Sequence, residues 1–495
     1  MLLWQLPQKH KDSIRHPALR YREEEISYQE AADLIEGYAR LFQDKGLEPG
    51  ERVAIISFNC PDFILSYLGC LRAGGIAVPL NFMLTLPEIA YILKDAGCSF
   101  IVIHQQLYKK LNLDPSFPLL SGLKGVVLLG EESRARARSL PSARPVEARE
   151  EDICAFLYTS GTTGLPKGAM LSHKNFLANV KALHEVSQFG PDNDFLSVLP
   201  MFHSFAWTTS VLLPIYLGST ITIKESFQPK EILDILTYRG ITVFCGVPAM
   251  FTVLVRLGDL REFKALKFAI SGGAPLDPRV GQAFEEKFRV PLVEGYGLTE
   301  ASPVVCLNPL YGKRKPGSVG FPLPGIEVRI VDEKGQEVPL EEVGELIIKG
   351  PNVMAGYYNR PEETAETLRD GWLYTGDLAR KDEEGYIYIV DRKKDLIITG
   401  GFNVYPREVE EALMAHPAVA EAAVIGVGDP LRGEEIKAYI ILRSGQQVSC
   451  QELREFLRGR LAPYKIPRYF AFVEDLPRST TGKVLKRVLK EQEGR

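Results

Sequence analysis

Residues 158–168, YTSGTTGLPKG, crowd three Thr, one Ser, three Gly and one Lys into a single short stretch. Glycines let backbone N–H groups approach phosphate oxygens, hydroxyls donate to them, and a Lys adds positive charge. The composition of Thr159, Ser160, Gly161, Thr162, Thr163, Gly164 and Lys167 therefore suits a polyphosphate. It is not a Walker A loop, in which the Lys stands between Gly and Ser or Thr, because Lys167 follows Leu165 and Pro166. The chain also lacks G-x-G-x-x-G. A flexible Gly/Thr surface turn is the competing interpretation, and the density of hydroxyls speaks against it.

The elements that must hold this loop follow from hydrophobic pattern. RVAIISF (52–58), IAVPL, SFIVIH and GVVLLG read as buried strands, and PDFILSYLGCLRAGG (61–75) as a helix ending at glycines. This βαβα rhythm predicts a parallel sheet covered by helices. Residues 131–150, EESRARARSLPSARPVEARE, contain almost no apolar side chains and predict an exposed linker. A second α/β region should then open with DICAFLYTSGTTG and run through TITIK, ITVFCGVP and FAISGG. After about residue 316 short alternating strands separated by Gly and Pro predict a small antiparallel barrel or meander. The charged break DRKKD (391–395) marks a boundary, and beyond it lies a compact unit of two helices and several strands. The expected fold is α/β: a large domain (1–391) of two α/β subdomains plus a small β-barrel, a hinge (392–394), and a small mobile α+β domain (395–495).

Composition narrows the class. A chain of 495 residues exceeds what one core normally supports, so several domains are expected. The formal net charge of −4 lacks the basic excess of a nucleic-acid binder. Seven Cys are dispersed without C-x-x-C or metal spacing, which predicts free thiols and a reducing, cytoplasmic compartment. The N-terminus has no signal-peptide core, and no run approaches a membrane span; peripheral membrane contact stays open.

Six further blocks follow the Gly/Thr loop in order: PMFHSFAW (200–207), SGGAPL (271–276), EGYGLTEASP (294–303), WLYTGDL (372–378), DRKKDLIITGGFNVYPREVE (391–410) and PRSTTGKVLKR (477–487). With them the chain resembles the adenylate-forming superfamily of acyl-CoA synthetases, firefly luciferase and peptide-synthetase adenylation domains. The long 370–406 stretch looks most like bacterial fatty-acid–CoA ligases.

That resemblance implies a reaction in which a carboxylate is joined to AMP and then passed to a thiol, with ATP, Mg²⁺ and coenzyme A as small-molecule partners. It implies that Lys483 bridges carboxylate and α-phosphate, that Glu300 binds Mg²⁺ and that Thr299 contacts the α-phosphate. Tyr296 is expected to stack on adenine, with Gly272, Gly273 and Ala274 walling adenine and acyl chain. Asp377 should accept the ribose hydroxyls, with Arg392 reaching the same ribose. His203 should lie by the carboxylate and thiol route, and Trp207 and Gly273 by the acyl chain. Gly400 and Gly401 should flank the pantetheine arm, with Lys394 as pivot between two orientations of the small domain. A solvated Lys483, a turn Asp377 and core roles for His203, Tyr296 and Trp207 are the plainer alternatives for each residue taken singly.

The function expected is fatty acid + ATP + CoA giving acyl-CoA, AMP and diphosphate. Aryl or dicarboxylic acids, a carrier-protein phosphopantetheine as acceptor, an inactive nucleotide-binding protein and a luciferase-like oxygenase are the alternatives. Acid chain length and the choice between monomer and homodimer are not legible.

Overall fold

The computed structural model describes residues 1–113, 120, 122–160, 165–259, 262–478 and 482–493. It divides into two compact units, one of residues 1–327 with 348–373 and one of residues 328–347 with 374–495.

The first unit is built on two sheets. One has seven strands in the order Gly356–Tyr357, Pro166–Ser172, Ile153–Ser160, Ile76–Leu80, Arg52–Ile56, Cys98–His104 and Gly125–Leu129. Its last four strands are parallel, as the βαβα rhythm predicts. The helix Pro61–Arg72 starts on a proline at its first turn, where a missing N–H costs nothing, and leads into Ile76–Leu80. Helix Leu86–Ala96 ends on Gly97 at φ 60°, a left-handed cap that glycine adopts without strain.

Ile153–Ser160 departs from expectation. It joins this first sheet rather than opening the second, with Ala155 opposite Ala77. Residues 154–157 are buried without alternation, and such a run needs cover on both faces, which an interior place in a sheet supplies.

The other sheet has nine strands, with Phe268–Ser271, Val243–Gly246, Asp194–Ser197 and Thr220–Ile223 at its centre. Helices Pro229–Tyr238, Pro248–Leu257 and Pro278–Phe288 bury Leu236, Phe251, Phe284 and Phe288 against it.

The expected linker is a second correction. Glu131–Ser139 is a helix, not an exposed coil. Arg134 turns inward and grips Asp62 with two bonds, Nε to Oδ1 at 2.8 Å and Nη2 to Oδ2 at 2.6 Å, and Tyr38 donates to the same carboxylate at 2.7 Å. Ala137 lies so close to Gly37 that a Cβ there would stand 2.0 Å from the Ala137 carbonyl oxygen. Charge paired inward does not register in hydropathy, and so the segment reads as linker.

The second unit begins with the small antiparallel meander expected after residue 316, including Trp372–Lys381 paired with Ile387–Arg392. The expected boundary at 392–394 lies inside this unit, at the 3₁₀ turn Lys393–Asp395. A second sheet follows, in which Val419–Asp429 and Gly433–Leu442 form a long antiparallel hairpin. Helices Pro406–Met414 and Cys450–Arg458 cover one face through Val409, Leu413, Leu453 and Leu457. Leu489 of helix Lys486–Glu493 packs on the other with Tyr439 and Ile425.

Candidate active site

In the first unit the two strands that flank the Gly/Thr stretch are paired with each other. Strands Ile153–Ser160 and Pro166–Ser172 pair antiparallel, which puts Thr159 opposite Lys167. Directly opposed residues present their side chains on one face. Gly161, Thr162, Thr163 and Gly164, and the side chain of Ser160, lie outside the described residues. Both feet of the hairpin are pinned to helix Leu86–Ala96: Tyr158 donates to Asp95 at 2.7 Å, and Tyr91 donates to the Pro166 carbonyl at 3.2 Å.

Glu300 stands in the 3₁₀ turn Thr299–Ala301, after the strand Leu292–Gly297. The turn is tight, and a Cβ on Gly297 would fall 2.1 Å from the Pro303 carbonyl oxygen. Glu300 accepts the Tyr357 hydroxyl at 2.8 Å and the Thr159 hydroxyl at 3.4 Å. The loop block and the YGLTE block thus meet on one carboxylate. Burial, then the Glu300 charge, pushes the Tyr357 phenol well above its ordinary range, so it stays a neutral donor. Lys167 is buried, 5.1 Å from the centre of the Tyr357 ring and 4.0 Å from Glu363. Sequence reasoning misses Tyr357, which sits in MAGYYN outside the recognised blocks. Its signal is a register: Tyr357 pairs with Ala169, two residues from Lys167.

The PMFHSFAW block closes on the same turn, for Ser204 and Thr299 share a hydroxyl–hydroxyl bond at 3.1 Å. His203 caps its own short helix, Nδ1 accepting the Phe205 N–H at 3.2 Å. That bond assigns the ring hydrogen to Nε2. Desolvation pulls the His203 pKa down to about 4, so the ring is neutral at pH 7. Phe205 rests on Gly272, where a Cβ would meet its ring at 3.0 Å. Gly273 has φ +81°, with open space except for Val247 at 3.7 Å. Ala274 follows, half-buried, and Tyr296 is half-buried on its strand opposite Cys306.

Trp207 opens a π-helical turn, Trp207–Leu212. It is 1% exposed and stacks on Tyr67 with ring centres 3.9 Å apart. Trp207 Nε1 and Tyr67 Oη are both buried without a hydrogen-bond partner among the described residues.

The second unit carries its own cluster. Asp377 and Arg392 are partners across the Trp372–Lys381 and Ile387–Arg392 ladder, Nε to Oδ1 at 3.2 Å. Asp377 is buried, 6% exposed, and its N–H is held by Thr375 Oγ1 at 3.0 Å. Lys483 faces this pair. Burial first, then Arg392 and Lys394, against the pull of Asp377 and Asp395, brings its pKa down to about 8. Lys394 lies in the turn Lys393–Asp395, whose neighbour Lys393 bonds Glu345 at 2.9 Å. Gly400 and Gly401 form a turn with φ 56° and 84° between Ile397–Thr399 and Phe402–Val404.

Among the described residues no three His, Cys, Asp or Glu side chains gather as a metal cage. A lone carboxylate ringed by hydroxyls is nonetheless the donor set Mg²⁺ accepts when phosphate oxygens and water complete its shell. Glu300, with Thr159 and Tyr357 around it, has that form.

The family described as AMP-binding enzyme matches residues 7–358, and its C-terminal domain matches residues 408–483. A long-chain-fatty-acid–CoA ligase of Bacillus subtilis is 40% identical, covering 92% of this chain and 88% of the relative. A feruloyl-CoA synthase of Amycolatopsis is 36% identical, covering 96% and 95%. The crystal structure of ATP-bound MatB from Rhodopseudomonas palustris superposes with a TM-score of 0.92 at 35% identity, covering 99% of both chains. The chain belongs to the AMP-binding enzyme family, the adenylate-forming superfamily. Within it the chain is an acyl-CoA ligase, and the relatives span fatty and aromatic acids.

Proposed function

We propose that the protein activates a fatty acid as its adenylate and transfers the acyl group to CoA. In the first half-reaction the carboxylate oxygen attacks the α-phosphorus of ATP, the bond to the β-phosphate bridge oxygen breaks, and diphosphate leaves. In the second, the CoA sulfur attacks the acyl carbon, its proton is lost, and AMP departs with the bonding electron pair.

Charge gathers on the phosphates in the first step, so positioned cations and donors govern its rate. Lys483 supplies the cation at the α-phosphate, Thr159 and Lys167 hold the polyphosphate, and Thr299 donates to the α-phosphate. Asp377, already paired with Arg392, takes the ribose diol, and Tyr296 takes the adenine face. Glu300 would hold Mg²⁺, which when bound would neutralise charge at the phosphates. His203, neutral with its hydrogen on Nε2, donates to the carboxylate. Gly400 and Gly401 admit the pantetheine arm, and Lys394 is the pivot of segment 395–495.

The observation that carries the adenylation reading is the meeting of Thr159, Tyr357 and Glu300 on one carboxylate beside Ser204 and Thr299. The fatty-acid reading rests on the uncharged run FAWTTSVLLPIYLG after His203. A second reading, a hydroxylated aryl acid, draws on Trp207 Nε1 and Tyr67 Oη, two buried donors that a phenolic substituent would satisfy. AMP release with CoA across acetate to oleate, benzoate and ferulate tests both. A rising series to long chains supports the fatty acid, a ferulate optimum the aryl acid, and no AMP from any acid defeats the ligase reading.

A further inference from the structure

Lys486 lies three residues beyond Lys483 and opens the helix Lys486–Glu493. Its Nζ bonds Glu410 Oε1 at 2.8 Å, and both side chains are largely shielded, at 16% and 14% exposure. The same Glu410 oxygen accepts the Val424 N–H at 2.7 Å. Glu410 projects from helix Pro406–Met414, whose second residue, Arg407, gives its N–H to Asp391 at 2.8 Å. On the other side of Lys483, Arg478 binds Glu421 at 2.5 Å and donates to the Gly482 carbonyl at 3.2 Å. Leu485 N–H closes onto the Pro477 carbonyl at 2.7 Å. At the far end of the helix Glu493 bonds Lys437 at 2.6 Å.

A long side chain delivers its charge accurately only when its backbone is fixed, and the fixing here is ionic on both flanks. The two flanks differ in kind. Arg478–Glu421 is a partly exposed pair at 33% and 31%, and such pairs contribute little. Lys486–Glu410 is shielded, so removing one partner strands the other charge. An apolar pair of the same volume would hold the helix as firmly, so the ionic pair is better explained by register than by stability.

We propose that Glu410 and Lys486 are positioning residues for adenylation, an ionic latch that sets the reach of Lys483. The inference rests on the assignment of Lys483 to the first half-reaction.

The test measures two half-reactions, ATP–diphosphate exchange and CoA transfer from pre-made acyl-AMP, in Glu410→Gln, Lys486→Met, Lys486→Arg and Lys483→Ala. Displacing a reacting group by about 1 Å costs as much as 100-fold, so Glu410→Gln and Lys486→Met should lower exchange roughly 10- to 100-fold through kcat. KM for ATP and the transfer step should stay within about twofold, because the lost interaction belongs to the transition state of one step. Lys486→Arg, which keeps the pair, should restore most of the exchange. If Glu410→Gln does not fold, Glu410→Asp keeps the charge, shortens its arm by one methylene and carries the same expectation. Equal loss in both half-reactions, or no recovery of exchange in Lys486→Arg, overturns the latch. If Lys483→Ala itself leaves exchange intact, the assignment of Lys483 fails; if it abolishes exchange while a folded Glu410→Gln does not lower it, the latch alone fails.

Discussion

Tyr357 donates its hydroxyl to Glu300 at 2.8 Å across 57 residues of sequence, and it does so from the edge strand that borders the phosphate hairpin. The bond ties the carboxylate to the strand pair carrying Thr159 and Lys167. A hydrogen bond to a charged group contributes about 1.5–3 kcal/mol, so its loss should be measurable.

Tyr357→Phe should raise KM for MgATP roughly 10- to 100-fold, within the range that a lost charged hydrogen bond allows, and change kcat less. The Mg²⁺ concentration needed for half-maximal rate should rise with it. Because the phenol stays neutral in this setting, the effect should be independent of pH between about 6 and 9. Steady-state kinetics at varied ATP and Mg²⁺ check this; an unchanged Mg²⁺ requirement contradicts the placement of the ion at Glu300.

Lys483→Ala should abolish adenylate formation and spare transfer from pre-made acyl-AMP. The pH dependence follows from the lowered pKa. Lys483 serves only when protonated, so kcat/KM for ATP in the exchange reaction, which reports the free enzyme, should be full below about 8 and fall above it. After burial, Arg392 is the largest influence lowering this pKa, and Arg392→Gln should move the alkaline limb upward. Competitive acetylation of Lys483 followed by mass spectrometry gives the titration without relying on turnover. A midpoint at the ordinary lysine value of 10.5 would contradict the lowering of this pKa by burial and Arg392.

Gly401→Leu should leave exchange intact and depress CoA transfer. Gly401 has φ 84°, and a Cβ added there would meet nothing within 4 Å, so the cost to the free protein is backbone strain rather than collision. A non-glycine residue in such a conformation costs on the order of 1–3 kcal/mol locally. Thermal melts separate that strain from obstruction of the pantetheine arm: a normal transfer rate in a folded variant removes the CoA site from this turn.

Trp207→Ala should flatten the dependence of kcat/KM on acid chain length. In the unaltered protein each added methylene should improve kcat/KM about fourfold until the channel is filled, since a buried CH₂ is worth roughly 0.8 kcal/mol. A flat profile in the unaltered protein, or a best substrate that is aromatic or dicarboxylic, would overturn the fatty-acid reading and leave the CoA-ligase chemistry standing.

The parallel strands, the helix Pro61–Arg72 and the hairpin-rich texture after residue 316 are legible because apolar periodicity reports burial directly. The helix within 131–150 is not, because Arg134 and Asp62 satisfy each other inside, and no hydropathy pattern carries that. The sheet to which Ile153–Ser160 belongs is equally hidden, because strand order is a tertiary choice, made where Ala77 meets Ala155. The candidate site residues come from blocks adjacent in sequence. Tyr357 and the Glu410–Lys486 pair escape because their partners lie 57 residues or more away, and only the fold brings them together.

The pairing of Thr159 with Lys167 has a further consequence for how the two strands can vary. Side chains alternate faces along a strand, so a slip of one residue turns every position over. Deleting one residue between Lys167 and Leu171, with Leu171 and Ser172 keeping their partners Ala155 and Ile153, would send the ammonium to the opposite face of the sheet. The parity of the two strands is therefore fixed, and a single-residue insertion or deletion within either should part the hydroxyl from the ammonium.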